Sequence, residues 1–248
     1  MNSSTPLIEI FSSLQGEGFL AGYRQIFIRF PGCNLDCAFC DTRIEPPAFC
    51  RVESKPGSAD FQDIKQPVTL ATILETIHRW CKQLPSAHHS VSITGGEPML
   101  HADLLERWLP EINILLPVHL ETNGTLPDSL PRIIEHLDYI SMDIKLPTSA
   151  ATPEFWDEHK KFMEIALERD LSVKLIVGEL TSDADLKKAA RLVADMEEEI
   201  PCFLQPVTGR DGRMAVPAAR LMRWQAMLAP ILEDLRVIPQ MHRFMEVP

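Results

Sequence analysis

At 248 residues, 45% hydrophobic and 24% charged, the chain is long enough to enclose a sizeable core and suits one domain of barrel or doubly wound type. Twenty-four Lys and Arg against 35 Asp and Glu leave a net charge of −11, which repels phosphate backbones and excludes general nucleic-acid binding. The start, MNSSTPLIEIF, lacks the basic and long apolar regions of a secretory leader, and no apolar run is long enough to span a bilayer, so a cytoplasmic location without a membrane partner is expected.

Along the chain, short β-branched runs predict strands over Gln25–Phe30, Ser90–Thr94, Val118–Glu121, Tyr139–Asp143, Ser172–Val177, Phe203–Gln205 and Arg236–Ile238. Between them, 3.6-residue periodicity predicts helices over Thr69–Gln83, Ala102–Leu115, Leu130–His136, Pro153–Arg169, Asp183–Glu198 and Val216–Glu233. Thr69 is the expected N-cap of the first. The alternation predicts an α/β fold with a mostly parallel sheet of βα units, in a single domain over 1–248. Residues 43–67, with Pro46, Pro47, Pro56, Gly57 and Pro67, read as an irregular insertion.

The unusual residues follow the strands: PGCNLDCAFCDT after the first, TGGEP after the second, TNGT after the third, DIKLP after the fourth, then QPVT and finally PQMHRF. In a parallel βα architecture these positions share the face at the strands' carboxyl ends, where such proteins build active sites.

Cys33, Cys37 and Cys40 form C-x3-C-x2-C, too close for unstrained disulfides and suited to a metal. An ordinary four-iron cluster takes four cysteines, so a triad leaves one iron open. A zinc site would want a fourth Cys or His, for which Cys50 is the nearby candidate. Cys81 and Cys202 read as buried small hydrophobes. Gly95 and Gly96 would allow backbone to approach a ligand, with Glu97 as an acceptor for an ammonium group. Arg29, ending an apolar strand, calls for a carboxylate partner from protein or substrate. Asp143 and Lys145 read equally well as a surface pair.

The triad with Phe39 before its last cysteine, joined to GGEP, resembles the radical S-adenosylmethionine (SAM) superfamily. EIFSSLQGEG, FIRFPGCNLDCAFCDT, ITGGEP, ETNGT, QPVT and PQMHRFMEVP are similar, within it, to the 7-carboxy-7-deazaguanine synthases of queuosine and deazapurine biosynthesis. The resemblance covers the chain apart from the insertion. It implies a homodimer with a modified partial (β/α) barrel of the radical SAM type. It also implies a 4Fe-4S cluster on Cys33, Cys37 and Cys40, SAM on the open iron, and a flavodoxin or ferredoxin as reductant. The implied enzyme is a carbon–nitrogen lyase: a 5′-deoxyadenosyl radical takes hydrogen from 6-carboxy-5,6,7,8-tetrahydropterin, and ring contraction with loss of ammonia follows.

Carried over by position, Phe39, Asp41, Gly96, Asp143, Ile144, Lys145, Gln205, Pro206, Val207 and Thr208 resemble the SAM contacts. Leu14, Gln15, Gly16, Arg29, Thr94, His242 and the carboxylate of Pro248 resemble the pterin contacts, and Thr42 the ligand of a Mg²⁺ ion. Pro31 departs from the small residue expected before Gly32. Glycyl-radical activating enzymes share C-x3-C-x2-C, and the triad alone also permits an electron-transfer or regulatory metal protein.

Overall fold

The computed structural model describes residues 4–40, 42, 45–196, 199–209 and 211–248. The chain opens with β1 (Ser4–Thr5), β2 (Glu9–Leu14) and β3 (Arg24–Phe30), followed by β4 (Phe49–Glu53), β5 (Phe61–Lys65) and β6 (Val68–Thr69). Next come α1 (Leu70–Gln83), β7 (Ser90–Gly95), α2 (Ala102–Asn113), β8 (Val118–Thr122) and β9 (Tyr139–Ile144). The rest is α3 (Pro147–Ala150), α4 (Trp156–Ala166), β10 (Asp170–Val177), α5 (Asp183–Ala194), β11 (Cys202–Pro206), α6 (Ala218–Leu228), β12 (Leu235–Val237) and α7 (Met241–Met245).

The seven strands β3, β7, β8, β9, β10, β11 and β12 lie side by side in chain order, every neighbouring pair parallel. Because βα crossovers are right-handed, strands added always on one side keep their helices on one face. That winding is the start of a barrel rather than a doubly wound sheet, which reverses direction at a switch point. On the far side of β3, β2 pairs antiparallel with it, and the β4–β5 hairpin follows to complete ten strands. The fold is thus α/β on a mostly parallel sheet, the partial barrel expected.

Period-2 alternation sorts the side chains. Ile26, Ile28, Phe30, Val91, Ile93, Leu120, Ile140, Met142, Val173 and Leu175 face the helices and form the main core. Trp80 of α1, Trp108 of α2 and Trp224 of α6 are fully buried on that side. The alternate residues are polar: Gln25, Ser90, Ser92, His119, Ser141, Ser172 and Lys174 are buried without joining that core.

Thr69 caps α1 by accepting the Thr72 amide. The helix predicted at 130–136 is instead two 3₁₀ turns, Pro127–Arg132 and Ile134–His136, because Pro131 has no amide to donate into an α-helical ladder. The 43–67 segment, expected to be irregular, carries the regular β4–β5 hairpin; its prolines lie outside both strands.

Candidate active site

A cavity of about 600 Å³ opens at the carboxyl ends of the strands. The loop after β3 contributes Cys33, Cys37, Phe39, Cys40 and Thr42, and the end of β7 contributes Thr94 and Gly96. Asp143 comes from β9 and Lys145 from the position just after it, and Gln205, Val207 and Thr208 from β11 and its loop. Leu14, Gln15, Gly16 and Arg29 line the side nearest β2 and β3, and His242 and Pro248 arrive from the tail. Ile144 and Pro206 do not line it: alternation turns both buried side chains to the opposite face, leaving only their backbone for a ligand. Asp41 lies outside the described residues.

The two motif loops are hydrogen-bonded to each other. The Gly96 amide donates to Phe30 O at 3.1 Å and the Glu97 amide to Gly32 O at 2.8 Å. A Cβ on Gly96 would overlap the Gly32 carbonyl, so this glycine serves the approach of the cysteine loop. Glu97 does not face the cavity as expected. It is fully buried, accepting from Met99 N (3.0 Å), Thr122 Oγ1 (2.8 Å) and Asn123 N (2.7 Å). Burial raises its pKa against those donors. Asn123 donates in turn to Asn34 Oδ1 at 2.9 Å, which braces the cysteine loop from β8.

All three cysteines of the triad are free thiols. Among the described residues no three His, Cys, Asp or Glu side chains converge on a single ion. Ligands of a cluster need not do so, since each thiolate binds a different iron. Burial pushes the Cys33 and Cys37 thiols up while Lys145 pulls them down. A bound metal is the charge that turns such thiols into thiolates. The Leu35 amide already donates to Cys33 Sγ at 3.4 Å. This donor set fits a cluster. Cys50 does not join it: Phe49 and Arg51 on either side line the cavity, so Cys50 points into the core, where burial raises its thiol to about 12.

The cavity floor is a buried ionic chain. Lys174 Nζ lies 2.6 Å from Glu17 Oε2 and 3.0 Å from Asp143 Oδ1, and Lys145 Nζ lies 2.9 Å from Asp143 Oδ2. Burial alone would raise Glu17, but Lys174, with help from Gln240 and His242, outweighs it and holds the carboxyl at about 2. Burial likewise opposes charge on Lys174, yet Asp143 and Glu17 keep its pKa above the ordinary lysine value. Gln240 donates to Glu17 Oε1 at 2.9 Å, and its Oε1 accepts the Thr208 amide at 3.3 Å, so the tail bridges two walls. Sequence reasoning missed Glu17, Lys174 and Gln240. The legible signal was Lys174, a lone charge inside the apolar run of β10.

Arg29 meets Glu9 through Nε at 2.9 Å, and no described residue bonds its Nη atoms. Gln15 gives both amide protons to the protein, one to Gln25 Oε1 (2.9 Å) and one to Glu121 Oε1 (3.0 Å), while its Oε1 accepts the Glu17 amide (3.0 Å). Its orientation is therefore set before any ligand arrives.

The Radical SAM superfamily profile matches residues 27–193. A 7-carboxy-7-deazaguanine synthase of Geobacter sulfurreducens is 44% identical over 240 residues, 96% of each chain. One of Methanothermobacter thermautotrophicus is 33% identical over 261 residues, again 96% of each. The crystal structure of QueE from Escherichia coli is 25% identical with a TM-score of 0.54, covering 96% of this chain and 95% of that one. A radical SAM methyltransferase from Sphaerobacter thermophilus, 12% identical with a TM-score of 0.56 over 95% of this chain and 77% of its own, shares the fold. The chain therefore belongs to the radical SAM superfamily and, within it, to the family of the 7-carboxy-7-deazaguanine synthases.

Proposed function

We propose that the chain converts 6-carboxy-5,6,7,8-tetrahydropterin to 7-carboxy-7-deazaguanine with release of ammonia, a carbon–nitrogen lyase reaction of the queuosine and 7-deazapurine pathway. The observation that carries this reading is one cavity shared by the cysteine triad, the Thr94–Arg29 pair in register on β7 and β3, and the tail residues His242 and Pro248. Substrate and product differ by one ammonia, so the conversion is redox-neutral and SAM can be regenerated. Family membership implies the 4Fe-4S cluster and SAM, which together supply the initiating radical when bound.

The chain's own residues hold and orient. Cys33, Cys37 and Cys40 bind the cluster, while Phe39, Asp41, Gly96, Asp143, Lys145, Gln205, Val207 and Thr208, with the backbone of Ile144 and Pro206, bind SAM. Leu14, Gln15, Gly16, Arg29, Thr94, His242 and Pro248 hold the pterin, with Arg29 on its carboxylate through the Nη fork. Thr42 would supply one hydroxyl oxygen to a Mg²⁺ ion shared with the substrate, an oxygen donor being the kind this hard cation prefers. The ionic floor beneath is already neutralised pair by pair, so it orients ligands without reorganising as the reaction proceeds. A homodimer in the cytoplasm, reduced by a flavodoxin or ferredoxin, completes the reading.

The test is anaerobic turnover of the reconstituted, reduced protein with SAM, Mg²⁺ and the carboxypterin. Deazaguanine product is expected; SAM cleavage with the pterin left unchanged would refute the substrate while leaving the superfamily intact.

A further inference from the structure

The residue directly beside Glu9 in the sheet, on the strand away from Arg29, is Arg51 of the β4–β5 hairpin. Backbone register sets one row across four strands: Thr94 opposite Arg29, Arg29 opposite Glu9, and Glu9 opposite Arg51. Residues opposite one another in adjacent strands share a face, and all four line the cavity. The row ends at Asp63 of β5, an exposed edge residue that does not line it.

Glu9 is shared. Its Oε1 lies 2.9 Å from Arg29 Nε and its Oε2 3.6 Å from Arg51 Nη1, so the two guanidinium groups flank one carboxylate. Glu9 meets Arg29 through Nε and Arg51 through Nη1, so each guanidinium keeps further donors with which to meet one more carboxylate. Arg51 is steered toward the row by Phe61, whose ring centroid lies 4.2 Å below its guanidinium carbon. Its side chain is 55% exposed, against 24% for Arg29, which places it at the mouth of the site with its donors accessible to an entering ligand.

We infer that Arg51 is a second cation for the carboxylate of the substrate, delivered by the hairpin, and that the Arg29–Glu9–Arg51 row selects an acidic pterin over a neutral one. This rests on the pterin reading above. The hairpin thereby becomes a specificity element, and Glu9 the residue that keeps two arginines together without mutual repulsion.

Fluorescence titration tests this on the cluster-loaded protein with SAM, kept anaerobic, using oxidised 6-carboxypterin and neutral 6-hydroxymethylpterin as probes. Arg51→Met, which keeps the apolar stem over Phe61, is expected to weaken 6-carboxypterin binding about tenfold and leave 6-hydroxymethylpterin unchanged. Arg51→Lys should recover part of the loss, as a point charge without the fork. In turnover the Met variant should raise KM and spare kcat. Unchanged 6-carboxypterin affinity in Arg51→Met overturns the inference, and so does equal weakening of both probes, which would reduce Arg51 to packing. If the wild-type protein fails to prefer the acidic probe, the pterin reading itself falls and takes the inference with it.

Discussion

The ammonium of Lys174 lies 2.6 Å from the carboxylate of Glu17, tying the loop after β2 to the middle of β10 across 157 positions of sequence. Removing one partner of a buried pair strands the other's charge, which costs about 3–5 kcal/mol. Lys174→Met should therefore lower the urea midpoint sharply. The double variant Glu17→Gln with Lys174→Met should recover much of that loss, because no charge is then left alone. A double variant no more stable than the single would show that the pair is not coupled.

That pair also marks the limit of what the sequence makes legible. Strands such as Val91–Ile93 announce themselves because their helix-facing side chains are β-branched and their polar partners small. Strand β2, EIFSSL, does not: Glu9 faces the cavity and Ser12 and Ser13 are buried polar residues, so the apolar alternation that signals a strand is broken by the site it serves. The hairpin strands FCRVE and FQDIK, of which β5 forms the edge of the sheet, both carry charge, and prolines around them mimic a loop. The cysteine, glycine and tail motifs were legible because each is local. Glu17, Lys174 and Gln240 are not, since nothing in the intervening sequence states that the winding of the sheet brings them together.

Iron content separates the cysteines. Cys33→Ser should lose the cluster, whereas Cys50→Ser should retain the wild-type iron count per chain, because Cys50 faces the core on the side of β4 away from the cavity. Its cost should be in stability alone, on the order of 1 kcal/mol for placing a hydroxyl at a fully buried site. Anaerobic iron and sulfide determination with a denaturation curve checks both halves, and iron loss in Cys50→Ser would contradict the geometry.

Gly16 sits against the tail. Its carbonyl accepts the Met241 amide at 2.9 Å, and a Cβ there would overlap the His242 ring and come within 2.6 Å of its backbone nitrogen. Gly16→Ala should therefore displace the tail, raising KM for the pterin at least tenfold, on the order of a lost charge-assisted contact, while the iron count stays unchanged. Limited proteolysis gives an independent readout: cleavage after Arg243 should accelerate in the variant.

Stability should fall as the pH drops from 6.5 toward 4. His119 and His159 are almost completely buried, and burial, the leading cause in both, lowers each to about 4. The unfolded chain takes up those protons first, near 6.5, so it binds more protons than the native state throughout this window. The contribution is complete above 6.5 and is lost as the pH falls through the folded values, on the order of 3 kcal/mol per histidine. His119 accepts from Gln25 through Nδ1 at 3.2 Å and pairs with Ser141 through Nε2 at 2.8 Å, so it must stay neutral to hold Gln25, and through it Gln15, in place. Glu97 titrates in the opposite sense, its raised folded pKa favouring proton uptake by the native state. The informative quantity is therefore the difference between wild type and His119→Asn. Urea unfolding at a series of pH values should show that difference narrowing as the pH is lowered from 7 to 4.5, by about 1.4 kcal/mol per pH unit at its steepest. A difference that stays constant across the range would mean that His119 is not held neutral by the fold.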